Sequence, residues 1–308
     1  MAFKYKAYLP TLEKFVEMTE LSTQNYINIV KYISNKDEEL IINAFEEVVK
    51  ARVSKSVYEK LTRLDKFFIL CTVRSISVGP FLSLTFEDDE SKKQYTSRIN
   101  IIQVLQNIDN IAEKYNRKVK VSDDITLVLG CPRNLSTSSE HELLLSCIDS
   151  IIISKKSHSF TSMTDKQKQN IVEALPVSIL PSVVKYITDI NESYGEVVMF
   201  KKVNPYTDSA ETEEFTVNMF DNSLLSFLMT CYTENLKTIY EIIYILVKRL
   251  NFSGEFVYNS TFAEVKMYID LYEEEMKEQE KAMQEQNSGQ QGGMGAPPSI
   301  GNPLTPGL

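Results

Sequence analysis

The sequence predicts an α+β fold, mainly helical with two small antiparallel strand pairs, and three observations carry that prediction. Apolar residues recur at spacings of three and four over most of the chain. Twice the period drops to two, within 81–99 and within 196–220. Glycine, proline and capping residues stand where the period changes. With 308 residues, of which 43% are hydrophobic and 24% charged, the chain can bury a sizeable core.

In 22–33, Tyr26, Ile29, Val30 and Ile33 mark one helical face, and in 37–53 Leu40, Ile41, Ala44, Phe45 and Val48 mark another. Asp37, Glu38 and Glu39 open the second helix while Lys50 and Arg52 close it, so both ends complement the helix dipole. A third helix over 61–76 is stopped by Gly79 and Pro80. Leu82, Leu84 and Phe86 then alternate with Ser83 and Thr85, which predicts a hairpin of 81–86 with 93–99 across the acidic turn 87–90. A helix over 100–108 follows, then a strand over 125–129 closed by Gly130 and Pro132, then a helix over 139–153 capped by Ser138.

Thr164 and Gln167 form a capping box for a short helix that ends at Leu175 and Pro176, and another helix covers 182–190. The second strand pair joins 196–202 to 213–220 across the polar loop 204–208. Helices over 222–230 and 236–251 come next, and Thr261 with Glu264 opens a long last one. The apolar run 239–247 carries Glu241 and falls short of the ~20 residues a membrane span needs, so it reads as a buried helix. The Gly- and Pro-rich segment 287–308 has too few apolar side chains to offset its ordering entropy and is expected to be disordered. The domain organisation expected is an α+β region over 1–220, a helical extension over 221–286 and the tail, with a division of the first region near 135–160 left open.

The search for chemistry is mostly negative. Phosphate-binding glycine loops, His-Glu-x-x-His, Gly-x-Ser-x-Gly and calcium loops are all missing from the sequence. His141 and His158 are the two histidines and read as solvated surface residues, because a metal site gathers several ligands. Cys71, Cys131, Cys147 and Cys231 include no Cys-x-x-Cys pair, and the N-terminus has no apolar signal region, which predicts a reducing compartment. Cys131 and Cys147 could meet in space but read as packing residues. Acidic residues at 87–90 and 273–275 read as solubilising rather than cation-binding.

A net charge of −9, from 33 basic against 42 acidic residues, opposes nucleic-acid binding, and Lys155–Lys156 and Lys201–Lys202 are too small to reverse it. No catalytic residue, cofactor or metal ligand is predicted. The candidate binding element is the last helix, whose stripe of Phe262, Val265, Ile269, Tyr272 and Met276 runs into a charged stretch and a flexible tail, the build of a docking segment. Packing of its first half on its own domain is the competing reading.

Two stretches carry a resemblance. One is 61–79 with the hairpin after it; the other is 160–171 leading to Leu175 and Pro176. Together they resemble the baseplate hub subunit family of T-even-type contractile-tailed bacteriophages, with the shared features at Asp65, Arg74, Gly79, Met163, Thr164 and Pro176, over roughly 1–220. The resemblance implies a protein needed to assemble the central hub of the tail baseplate, with no catalytic site to carry across. The helical block from 222 departs from that family and is similar to the charged helical parts of tail-assembly chaperones, which implies the tape-measure protein as a partner. Residence in the finished virion stays open at this point. So do two other functions: a cytosolic adaptor or chaperone unrelated to phage tails, and an enzyme whose Asp, Glu, Lys or Tyr residues are distant in sequence.

Overall fold

The computed structural model describes residues 5–108, 117–160, 163–174, 176, 178, 180–190, 192, 196–206, 212–218 and 221–291. Its organising element is α4 (Arg63–Val78). Leu64, Phe67, Phe68, Leu70, Cys71 and Val73 are buried on several faces, together with Arg63, Asp65, Lys66 and Arg74, so the helix is enclosed all round rather than amphipathic. Thr62 and Asp65 form its capping box, and Gly79, at φ 124°, ends it in a conformation that only glycine adopts without strain.

The hairpin β1 (Tyr5–Leu9) and β2 (Lys14–Met18) lies against α4, burying Ala7, Leu9 and Met18. Helices α1 (Thr23–Asn35) and α2 (Glu38–Lys50) follow, capped by Ser22 and Asp37, and the short α3 (Lys55–Tyr58) leads into α4. Tyr26, Ile29, Val30, Ile41, Phe45 and Val48 face the core, as the spacing predicts, whereas Leu40, expected on the same face, is 42% exposed. The chain returns to α4 after residue 220. Helix α9 (Ser223–Cys231) packs on it, and Tyr232 just beyond donates its buried hydroxyl to the Leu70 carbonyl at 2.7 Å. Helix α10 (Leu236–Tyr244) continues through a π-helical turn at Ile245–Arg249. Ile239, Ile243 and Leu246 are buried there while Tyr240 and Tyr244 are exposed, so the apolar run is covered on one side only. Helices α11 (Gly254–Asn259) and α12 (Phe262–Gln291) complete the chain.

The sheets lie around this helical core. Hairpin β3 (Phe81–Glu87) and β4 (Gln94–Asn100) is in full register, from Phe81 opposite Asn100 to Glu87 opposite Gln94. Helix α5 (Ile101–Asn107) follows it. Next come β5 (Arg117–Lys120), β6 (Ile125–Leu129), α6 (Glu140–Cys147), β7 (Ile148–Ile153) and β8 (Lys156–Ser159); the four strands form one antiparallel sheet in sequence order. Helices α7 (Asp165–Glu173) and α8 (Leu180–Ile190) precede hairpin β9 (Glu196–Val203) and β10 (Thr212–Asn218). An aromatic chain ties the two separate hairpins to the core: Tyr95, Phe86, Phe200, Phe215, Phe227 and Phe67 follow one another at centroid distances of 5.7, 6.2, 4.8, 6.0 and 6.1 Å.

The expectation of a mainly helical fold with two strand pairs is therefore corrected. The class is α+β, but strand accounts for 23% against 52% helix, in four antiparallel sheets among the described residues. The unforeseen strands are β1, β2, β5, β7 and β8. The helix expected over 139–153 ends at Cys147, and β-branched Ile148, Ile151, Ile152 and Ile153 continue as a strand. Its cap is Ser139, whose hydroxyl accepts from the Glu142 N–H at 3.2 Å, whereas Ser138 donates to the Glu142 carboxylate. The disordered segment expected from 287 is corrected too, because α12 runs on to Gln291; residues 292–308 lie outside those described.

Candidate functional site

Helix α12 is built in two unlike halves. Its start is locked by the Thr261–Glu264 capping box, in which the Thr261 N–H donates to the Glu264 carboxylate at 3.0 Å and the Glu264 N–H to the Thr261 hydroxyl at 3.2 Å. The α11–α12 junction is pinned to the start of α1: both the N–H and the hydroxyl of Thr23 donate to the Ser260 carbonyl, at 2.7 and 2.8 Å. Phe262 stacks on Tyr26 at 5.1 Å, and Lys266 pairs with Glu234 at 3.1 Å. Of the predicted docking stripe, Phe262 is 0% exposed, Val265 1% and Ile269 6%, all inside the chain's own core. Tyr272 is half-buried and Met276 is 37% exposed. From Glu273 to Gln284 every side chain is exposed, Met283 at 63%. The stripe thus divides, with its first three residues in the core and its continuation along Met276 and Met283 outside it.

The positions that carry the resemblance are placed as follows. Asp65 is buried, and its carboxylate accepts from the Thr62 N–H and hydroxyl, both at 2.9 Å, from the Thr11 N–H at 3.0 Å and from the Thr11 hydroxyl. It therefore fastens the β1–β2 turn to the start of α4. Arg74 donates to the Cys231 carbonyl at 2.9 Å and to that of Gly79, tying the end of α4 to the end of α9. Thr164 forms the predicted capping box with Gln167, and Met163 packs partly buried against the core, while Pro176 is exposed.

Next to α4 lies a cleft of about 600 Å³ lined by Tyr58, Leu61, Lys66, Arg133, Glu142 and Phe160, among others. A lysine with its pKa lowered by burial, set in a cleft, is the arrangement an enzyme reading would need. Here the Lys66 ammonium sits 2.7 Å from the Glu46 carboxylate and 5.3 Å from the Tyr58 ring centroid, and the Tyr58 hydroxyl donates to Glu46 at 2.8 Å. The lysine side chain is only 7% exposed, so it acts as a clamp between α2 and α4. Sequence reading missed this trio, because its members sit on three different elements. It also missed the capping pair Thr62 and Asp65, for which the Thr-x-x-Asp spacing is a usable signal.

The remaining candidates are quickly placed. His158 lies exposed on β8, and the side chain of His141 lies outside the described residues. The four cysteines are buried free thiols; burial pushes Cys131 and Cys147 up to about 12 each, against the reactivity of a nucleophile. In the acidic turn, hydrogen bonds from Ser91 and from the Asn204 amide, 2.6 Å away, hold the Asp88 carboxyl at about 2 and pin the β3–β4 turn to the end of β9. Glu273, Glu274 and Glu275 lie on the exposed half of α12. Among the described residues, no group of three or more His, Cys, Asp or Glu is placed to hold a metal ion, and no helix is long and apolar enough to cross a membrane. Further exposed apolar side chains, Phe15 at 66% and Ile102, border a cleft of about 580 Å³ under the β1–β2 hairpin.

Exposed apolar surface at the β1–β2 hairpin and along the last helix is the kind of surface that meets other proteins. The chain belongs to the T4 bacteriophage base plate protein family, whose model matches residues 2–199. It is thus a phage tail baseplate protein, and other tail proteins are its expected neighbours. No curated protein and no solved structure matches it. The family match ends within β9, so α9–α12 lie beyond it, although Arg74 and Leu70 inside the matched span bond to Cys231 and Tyr232 outside it.

Proposed function

We propose that this baseplate protein is a non-enzymatic assembly or structural subunit of the baseplate hub, and that it docks its partners, the tape-measure protein foremost, along the distal half of α12. The single observation behind this reading is the division of that helix. A core-anchored base holds out a segment with Met276 and Met283 exposed and, among the described residues, no part of the fold covering it. At about 1.5 Å per residue the helix beyond Tyr272 reaches roughly 28 Å from its base. Membership of the baseplate family supports the setting.

The test compares the full chain with a version ending after Tyr272, each used as bait in cells expressing its own phage's tail genes, with mass spectrometry as the readout. Truncation further back, before Phe262, would remove core residues and confound the result. The expected outcome is that the full chain recovers hub or tape-measure proteins and the truncated chain, still folded, loses them. Recovery of no tail protein by either version contradicts the hub reading. Equal recovery by both moves docking to another surface.

A further inference from the structure

The stripe on α12 has a strict seven-residue period. Phe262, Ile269, Met276 and Met283 are seven apart, and Val265, Tyr272 and Gln279 form the interleaved set, so the pattern is the a/d seam of a coiled coil. A buried helix needs no such regularity beyond its contact with the core. Here the register set by Phe262, Val265 and Ile269 inside the domain continues unbroken onto the uncovered segment. Among the described side chains, the positions flanking the exposed seam are Glu273 and Glu280 on one side and Glu275 and Ala282 on the other, all exposed, three of the four acidic and none basic.

That flank selects the occupant. In a parallel pair of identical helices Glu275 of one copy faces Glu280 of the other, and in an antiparallel pair each flank again meets its own acidic kind. Like charges at these positions oppose pairing, whereas Lys or Arg on the incoming helix turns the same three carboxylates into attractive contacts. The inference rests on the docking role given above and adds the chemistry of the partner. We infer that the distal half of α12 pairs with a basic heptad helix of another protein, with apolar residues along its seam and Lys or Arg on its flanks, and not with a second copy of this chain. Among the described side chains of the exposed seam Gln279 is the one polar residue; its amide donates to Glu275 at 3.2 Å, and it is placed to fix register.

The experiment uses the full chain and two synthetic peptides of about three heptads, identical in an Ile/Leu seam, one with Lys at every flanking position and the other with Glu. Each peptide repels itself, so binding is read directly by fluorescence anisotropy. The Lys-flanked peptide is expected to bind at least ~10-fold more tightly than its Glu twin, with affinity falling as salt rises. Met276→Gln with Met283→Gln is expected to abolish binding while leaving the fold intact. Glu273→Lys, Glu275→Lys and Glu280→Lys together should reverse the preference.

Equal binding of both peptides, binding of neither, or a dimer of the full chain that the Met276→Gln/Met283→Gln variant dissolves would each overturn the inference. If tail proteins are captured through this segment but neither peptide binds, the basic-helix chemistry fails while the docking role stands. If the Lys peptide binds but no tail protein is captured, the docking role in the baseplate fails instead.

Discussion

The two halves of α12 carry one pattern and meet opposite fates. From Phe262 to Ile269 the seam is buried against α1, α4 and α10; from Glu273 to Gln284 the same register faces solvent. Nothing in the spacing changes at the boundary. The difference is what surrounds the helix: Tyr26, Glu234 and the Ser260 carbonyl supply partners for the base, and among the described residues no element covers the helix beyond Tyr272. An apolar stripe therefore reports that a helix has something to pair with, and only the fold shows whether the pairing partner is inside the chain.

The contrast is broken most readily at the base. Phe262→Ala is expected to cost about 3–5 kcal/mol, read by chemical denaturation, because it empties the stack on Tyr26. A loss below ~1 kcal/mol would mean that the base is not core. A somewhat smaller loss, about 2–4 kcal/mol, is expected when Lys66→Ala leaves the partly buried Glu46 carboxylate without its cation. Lys66→Met combined with Glu46→Gln, which keeps an acceptor for Tyr58, should cost much less; equal costs would show that the charge pair itself stabilises.

A smaller effect is expected where the β3–β4 and β9–β10 hairpins meet. Asp88 is held at about 2 in the folded chain against an ordinary carboxylate value of about 3.9. Its contribution is therefore fully present above pH ~4 and lost as the pH falls through about 2. Asp88→Asn should flatten the stability curve in that window, and an unchanged curve would remove Asp88 from the account. The smallest effect belongs to the tip: Met276→Gln with Met283→Gln should change stability by less than about 0.5 kcal/mol, as for exposed substitutions generally.

Much of the helical core was legible. The faces of α1 and α2, the Gly79 stop, the hairpins β3–β4 and β9–β10, and the capping boxes at Thr164 and Thr261 all follow from local chemistry that the structure repeats. The strands that escaped notice lack the usual signals. In β1 and β2 the inward period rests on Ala7, Leu9, Val16 and Met18, while apolar Tyr8 and exposed Phe15 lie on the other face, so the apolar–polar alternation that marks a strand is blurred. The β7–β8 turn places Ser154 at φ 46° and Lys155 at φ 67°, values for which Asn-Gly is the familiar signature, so nothing marked a hairpin there. The apolar stripe of the last helix is visible in the spacing, but its division at Tyr272 depends on contacts with Tyr26 and Glu234, far away in sequence.

The central claim is that α12 is core at its base and uncovered beyond Tyr272, and amide hydrogen exchange along this helix in the isolated chain tests it most directly. The account predicts that amides of Val265–Tyr272 exchange only through global unfolding, while those of residues 276–284 exchange orders of magnitude faster. Equal protection along the whole helix would contradict it, because the distal half would then already have a partner within the chain or in a second copy.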